Sequence, residues 1–334
     1  MPNTLSAAFN LHRSRTVDLN GDHTENAKNS RDYLVGKIVD IAATVIDFPK
    51  LYDNGYYLPY GSFARKTKVN PLDDIDLLQV LHGCGGSAIY MSSNIYEIQI
   101  PQSDLPLWLY TENGFVNSTK ILNKFKAELE NVPNYSNTAI NRRGEAVKVD
   151  LNSYDWSFDI VPGFAVTDGA DGIAHFLIPD GNGRWKRTDP RRDKELATRV
   201  NSFHNGNILP IIRVIKHWNE VSRHAPTIES YHLETMLLNG FSSHETPLTD
   251  VKSGIFNAFN ILQSAILYTC NDPKGLDQPL DVNMDFQDRL DFSNAAKTMC
   301  ERLSNAMMFE LLGQHDNAIR TWQSVLPNFP DYQQ

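Results

Sequence analysis

The amino-acid sequence predicts an α+β protein, a mixed β-sheet followed by a helical C-terminal lobe, with the active site in the cleft between them. Three observations carry this prediction. Apolar residues alternate through 73–80, 146–151 and 156–162, the period of half-buried strands. After Asp193 the period becomes helical, in 211–218, 233–238, 255–267 and 295–312, with no competing strand pattern. The strands also carry aspartates on their polar positions, which marks the sheet as the seat of the chemistry. Two lobes follow, a catalytic lobe over 24–190 that begins with a long helix and a helical lobe over 191–334.

Composition narrows the class of function. The 334 residues are 41% hydrophobic and 21% charged, the balance of an ordinary globular protein with length enough for a large core. A net charge of -9 argues against a long nucleic-acid surface, because such affinity comes mainly from neutralised phosphates. No basic-then-apolar leader and no membrane-length apolar run is present, so a cytoplasmic enzyme with no membrane partner is the expectation. Cys84, Cys270 and Cys300 are odd in number and far apart, which favours reduced thiols over disulfides or a zinc site.

Taken in order, residues 1–23 are polar and read as a loosely ordered leader. Residues 24–46 carry Leu34, Ile38, Ile41 and Val45 at helical spacing after a cap at Thr24. A strand over 73–80 follows, then 89–100 with a hairpin neighbour, then a helix over 118–129 with Ile121, Leu122, Phe125 and Leu129 on its apolar side. Basic residues cluster twice, at Arg65, Lys66 and Lys68 and again in 184–192. Either cluster suits a triphosphate; solvated surface is the commoner fate of such runs.

The chemistry concentrates in Gly61-Ser62-Phe63-Ala64-Arg65-Lys66-Thr67 and Leu72-Asp73-Asp74-Ile75-Asp76-Leu77. Gly61 permits close approach of the backbone, and Ser62 offers a hydroxyl and an amide to a phosphate oxygen. A strand projects Asp74 and Asp76 from one face while Ile75 and Leu77 face the core. Paired carboxylates repel unless neutralised, and a hard divalent cation bound through oxygen is the usual solution. In 156–162, Trp156, Phe158 and Ile160 share one face and Asp159 points from the other, where it completes a three-carboxylate set; Asp155 is the second choice. The plainer readings are a solvated Asp-rich turn and a strand-end aspartate paired with a base.

The order of these features resembles the signature of the polymerase-beta-like nucleotidyltransferase superfamily. Phe158-Asp159-Ile160-Val161-Pro162-Gly163-Phe164 is similar to the third-carboxylate strand of its bacterial cGAS/DncV-like members, the CD-NTases. Ile178-Pro179-Asp180, Trp185 and Thr188-Asp189-Pro190 resemble the family's link between lobes. Ile211 to Trp218 and Ser230-Tyr231-His232-Leu233-Glu234 resemble two of its C-lobe helices, and Ala318-Ile319, Trp322 and Pro330 its ending.

The resemblance implies a template-independent enzyme that makes a cyclic di- or trinucleotide from NTPs, ATP and/or GTP, in bacterial antiphage (CBASS) defence. It implies Asp74, Asp76 and Asp159 as catalytic ligands of two Mg²⁺ ions, with Mn²⁺ able to substitute. It further implies nucleotide binding by Gly61, Ser62, Arg65, Lys216, Ser230 and Tyr231, in which Lys216 and Ser230 meet the triphosphate and Tyr231 stacks on a base. A regulatory protein partner and a downstream effector that senses the product belong to the same expectation. The residues alone leave open transfer of NMP to an RNA end or small molecule, a catalytically silent nucleotide-binding module, and an Asp-rich structural protein. Lys216 also reads as a snorkelling lysine, Ser230 as a helix cap and Tyr231 as a core tyrosine.

Overall fold

The computed structural model describes residues 2–101, 106–167, 172–223, 225–276 and 278–332. In chain order its elements are α1 (Leu5–His12), α2 (Gly21–Thr44), β1 (Tyr57–Tyr60), α3 (Gly61–Ala64), β2 (Asp74–Leu81), β3 (Ser87–Ser92) and β4 (Ile95–Gln99). There follow β5 (Thr111–Glu112), β6 (Phe115–Val116), α4 (Ser118–Glu130), β7 (Ala139–Arg143), β8 (Ala146–Asp150), β9 (Ser157–Thr167), β10 (Ile173–Pro179) and β11 (Trp185–Thr188). The helices α5 (Pro190–Phe203), α6 (Ile208–Val221), α7 (Ser230–Ser242), α8 (Val251–Ala265), α9 (Phe286–Leu311) and α10 (His315–Gln323) complete the chain. No strand follows β11 among the described residues, so the sheet-then-helices order matches the α+β expectation.

The chain divides into two compact units. The sheet unit comprises Gly21–Ala64 and Leu72–Arg192; the helical unit comprises Met1–Asn20, Arg65–Pro71 and Asp193–Gln334. The helical unit thus takes in the first residues of the chain and a short segment lying in sequence between Ser62 and Asp74, which a division at 190 assigns to the sheet.

In the sheet unit the strand order is β1-β2-β9-β10-β11-β4-β3, with β8 added to β9 and β7 to β8. Among the described residues only β2 and β9 run parallel; the other pairings of this sheet are antiparallel, and the sheet is mixed. The eleven-residue β9 is the centre: β2 lies along Ser157–Phe164 on one side, while β8 and then β10 take the other. One face is built to be covered. Ile75, Leu77, Val147, Val149, Phe158 and Ile160 are all buried, and α4 packs on β7 to β10 with Ile121, Leu122, Phe125 and Leu129 buried on its inner stripe. Burial of each such side chain contributes about 1.5–3 kcal/mol. Asn117 caps α4 by accepting the Lys120 amide, which fixes where this stripe begins.

The segment expected to link the lobes is instead a β10–β11 hairpin within the sheet. Trp185 is fully buried there and its indole donates to the Val116 carbonyl at 2.8 Å, while Pro190 opens α5. The basic run 184–192 is largely matched by carboxylates: Arg184 by Glu97, Lys186 by Glu145, and Arg191 and Arg192 by Asp189.

The helical unit packs α6, α7 and α8 around Trp218, which meets Phe259 and Phe292 edge-on at 4.8 and 5.8 Å. Residues 1–23 are not a loose leader. Thr4 caps α1, and Leu5, Ala8, Phe9 and His12 are buried, with Phe9 packed edge-on against Trp322 of α10 at 5.3 Å. Their i, i+3, i+4, i+7 spacing was the available signal, diluted by the polar residues around it. The three cysteines are buried and form no disulfide, and burial pushes the Cys270 and Cys300 thiols up to about 11. No helix among the described residues is long and apolar enough to cross a membrane.

Candidate active site

Register builds the site. In β1, β2, β9, β8 and β7, the directly opposed residues are Tyr60, Asp76, Asp159, Lys148 and Asn141, and opposed residues share a face. Asp74 lies one pleat back on β2, opposite Ser157. Parallel pairing of β2 with β9 is what sets Asp76 beside Asp159, since a one-residue slip would turn one of the pair into the core. The carboxylate oxygens of Asp74, Asp76 and Asp159 come within 4.8 Å of one another, and all three residues are partly buried. Asp155 is exposed, precedes β9 and is not part of this group.

Gly61 follows directly on β1 with a left-handed φ of +71°, and a Cβ there would stand 1.7 Å from the Asp76 Oδ2. The residue at 61 is therefore glycine because the Asp76 carboxylate occupies the space of a side chain. Ser62 is the second residue of the four-residue α3 and partly buried. Tyr60, beside Asp76, has its phenol pushed well above the usual range by burial and then by Asp76, Glu145, Asp159 and Asp74, so it remains a hydrogen-bond donor at neutral pH. Burial raises the Asp159 carboxyl above its ordinary range, against the opposing pull of Lys148 and Arg143.

The donor set fits a metal. Three carboxylates offer oxygen only, which suits a hard divalent cation rather than a thiolate- or imidazole-loving one. A cation at their centre would relieve both their mutual repulsion and the burial penalty on Asp159.

The expected contacts on the helical unit form a second cluster. The buried Glu234 on α7 accepts from Arg65 Nε at 2.6 Å, Arg65 Nη2 at 3.3 Å and the Thr67 hydroxyl at 2.8 Å. Lys216 on α6, 8% exposed, donates to the Thr67 carbonyl at 3.1 Å and lies 4.0 Å from Glu234 Oε2. Arg213, one turn earlier on α6, holds the Lys66 carbonyl at 2.6 Å and Asp18 at 2.8 Å. The Tyr231 hydroxyl meets Asp193 at 2.7 Å and Asp272 at 3.1 Å and accepts from Lys274 at 2.8 Å. Its ring has Lys274 Nζ at 4.5 Å and the Arg65 guanidinium at 5.4 Å from the centroid. Ser230 is exposed at the first turn of α7.

The structure therefore gathers Gly61, Asp74, Asp76 and Asp159 on the sheet unit, and Arg65, Lys216 and Tyr231 on the helical unit. Sequence reasoning did not single out Tyr60, Lys148, Glu234 or Lys274. Tyr60 and Lys148 sit on alternating stretches, yet only the register shows that they flank the carboxylates.

No family model matches the chain. It is 37% identical over 335 residues, covering both chains in full, to a probable cyclic nucleotide synthase of Bacillus cereus strain VD146. Among solved structures, CdnC of Escherichia coli MS115-1 in complex with HORMA-deltaN superposes with a TM-score of 0.69 at 14% identity, over 98% of each chain. Vibrio cholerae DncV, a cyclic AMP-GMP synthase in complex with the linear intermediate 5' pppA(3',5')pG, gives 0.65 at 12% identity over 94% of this chain and 92% of its own. The full-length identity to the Bacillus protein, on a fold shared with CdnC and DncV, places this chain in the bacterial cGAS-like CD-NTase family of nucleotidyltransferases.

Proposed function

We propose that this nucleotidyltransferase joins NTPs, ATP and/or GTP, into a cyclic di- or trinucleotide second messenger with release of pyrophosphate. The observation that carries the reading is the convergence of Asp74, Asp76 and Asp159 within 4.8 Å on two parallel strands. These residues would hold two Mg²⁺ ions, with Mn²⁺ able to substitute. Bound there, such ions neutralise charge on the attacking and leaving oxygens of an in-line displacement at the α-phosphate.

The chain's own residues supply positioning, the main protein contribution to phosphoryl transfer. Gly61 leaves room for the Asp76 carboxylate, and Ser62 offers its amide and hydroxyl to the donor phosphates. Lys216 and Ser230 meet the triphosphate, Arg65 adds charge to the same region, and Tyr231 gives a base a stacking surface. An acceptor nucleotide's hydroxyl oxygen bonds to the donor α-phosphorus as the bond to pyrophosphate breaks. A second, intramolecular displacement of the same kind closes the ring. The DncV structure with a linear intermediate supports this two-step route.

The wider setting belongs to the same proposal: a cytoplasmic enzyme of a bacterial antiphage (CBASS) system, controlled by a regulatory protein and read out by an effector. The complex of CdnC with HORMA-deltaN supports a protein partner. The test is incubation of the purified protein with labelled ATP, GTP, CTP and UTP plus Mg²⁺ or Mn²⁺, then phosphatase digestion and mass spectrometry. A phosphatase-resistant cyclic product is expected. Pyrophosphate release with only linear, phosphatase-sensitive products would instead favour NMP addition to another acceptor.

A further inference from the structure

The row that carries the carboxylates does not end at Asp159. Read across the strands it runs from Tyr60 through Asp76 and Asp159 to Lys148 on β8 and Asn141 on β7, and Arg143 lies two residues beyond Asn141 on that same face. The opposite face of these strands is closed by the buried Ile140, Val147, Val149, Phe158 and Ile160. On the row's own face Asn141 and Arg143 are exposed, and Lys148 is half-buried, paired with the neighbouring Asp150 at 3.3 Å. The two ends of the row differ in kind. At the β1 end stand Gly61 and Ser62, directly after Tyr60; at the β8–β7 end stand two cations and an amide.

We propose that Lys148, Arg143 and Asn141 form the subsite for the 5′-phosphates of the second, acceptor nucleotide. The inference rests on the reading of the three carboxylates as a nucleotidyl-transfer centre. In-line displacement sets the attacking and leaving groups on opposite sides of the phosphorus. In the proposed reading Ser62 receives the donor's phosphates at the β1 end and pyrophosphate leaves toward it; the acceptor therefore approaches from the β8–β7 end. Neighbouring strands lie about 4.8 Å apart, so Lys148 stands one strand from Asp159 and Asn141 about two. An ammonium is a point charge for a polyphosphate, a guanidinium a fork for two of its oxygens, and an amide a donor to a third. An uncharged acceptor would leave the exposed Arg143 and Asn141 unused and Lys148 with Asp150 alone.

The experiment separates the two nucleotides. The donor is 2′,3′-dideoxy-ATP or dideoxy-GTP, which carries no hydroxyl able to accept. The acceptors are ATP and GTP against adenosine and guanosine, with dinucleotide formation followed at varied acceptor concentration and Mn²⁺ present. The wild type should favour triphosphate over nucleoside acceptors in kcat/KM by roughly 10- to 100-fold, the worth of one or two charge-assisted hydrogen bonds. In Lys148→Met with Arg143→Gln that preference should fall toward unity, with the rise in KM confined to the triphosphate acceptor. Lys148→Arg should restore most of it. Variants that lose both acceptors in proportion, or that keep the wild-type preference, overturn the subsite while leaving the transfer reading intact. A wild type that joins no two nucleotides with any acceptor overturns both. Thermal melting of each variant separates a loss of folding from a loss of binding.

Discussion

The carboxylate face of the sheet unit and the cation cluster of the helical unit are built on opposite plans. On the sheet, like charges are brought together by register on partly buried positions of one face. On the helical unit, opposite charges are enclosed: Glu234 is 1% exposed and is bonded to Arg65 and Thr67, with Lys216 alongside. The first arrangement costs stability that a bound cation would return; the second contributes to the fold before any ligand arrives. A substitution in the first region should therefore separate activity from stability, and one in the second should not.

The largest effect tests the first half of that contrast. Asp76→Asn or Asp159→Asn should lower turnover by a factor on the order of 10³ or more, as removal of a transition-state charge stabiliser does. Metal-free melting temperature should stay close to that of the wild type, since asparagine keeps the shape of the side chain. A variant that loses activity only in proportion to lost folding would erase the distinction.

The second half is tested by Glu234→Ala, which strands Arg65 in a buried site. Breaking a buried pair in this way costs about 3–5 kcal/mol, read by denaturant unfolding of the metal-free protein. A loss below about 1 kcal/mol would place the pair with exposed salt bridges and dissolve the contrast.

The same enclosed unit should show a pH signature opposite in sign to that of Asp159, whose raised carboxyl favours the folded state as pH falls. Burial lowers His12 to about 4 from an ordinary value near 6.5, its Nδ1 facing the Asn328 carbonyl at 3.4 Å and its ring 6.0 Å from that of His217. The unfolded chain then binds the proton that the folded chain refuses, so stability falls as pH drops from about 6.5 to about 4. Roughly 3–4 kcal/mol is at stake, at about 1.4 kcal/mol per pH unit over about 2.5 units. His12→Gln should flatten that stretch of the stability profile in chemical denaturation; an unchanged slope would assign it to other groups.

The smallest effect falls within the enclosed cluster. Lys216→Ala should raise the KM for NTP about tenfold with little change in kcat, because its proposed contact with the triphosphate is the same in ground and transition states. Since it also holds the Thr67 carbonyl, a modest fall in melting temperature should accompany this. Unchanged KM beside a lowered melting temperature would make Lys216 a purely structural residue.

How much of this the sequence disclosed follows from the range of the forces involved. The helices from α6 to α9, the strands β2, β8 and β9, and the grouping of the three aspartates were legible, because alternation and helical period are local. The helix start at Gly21 rather than Thr24, the burial of α1 and the hairpin built from Ile178 to Thr188 were not, because packing partners far along the chain decide them. Gly61 was singled out for closeness to a ligand; what approaches it in the structure is Asp76, a contact set by the β1–β2 register. Glu234 was quoted only as part of a helix, since nothing local announces a partner at Arg65, 169 positions away.

The most direct test of the central claim counts ions. Manganese titrated into the protein in the presence of a non-hydrolysable NTP, and followed by electron paramagnetic resonance, should show two ions per chain close enough to couple. Asp76→Asn should lose the coupled signal, and in the wild type supplied with ordinary NTPs cyclic-product formation should rise over the same range of manganese concentration. Two coupled ions and full product formation retained in both Asp76→Asn and Asp159→Asn would contradict the account.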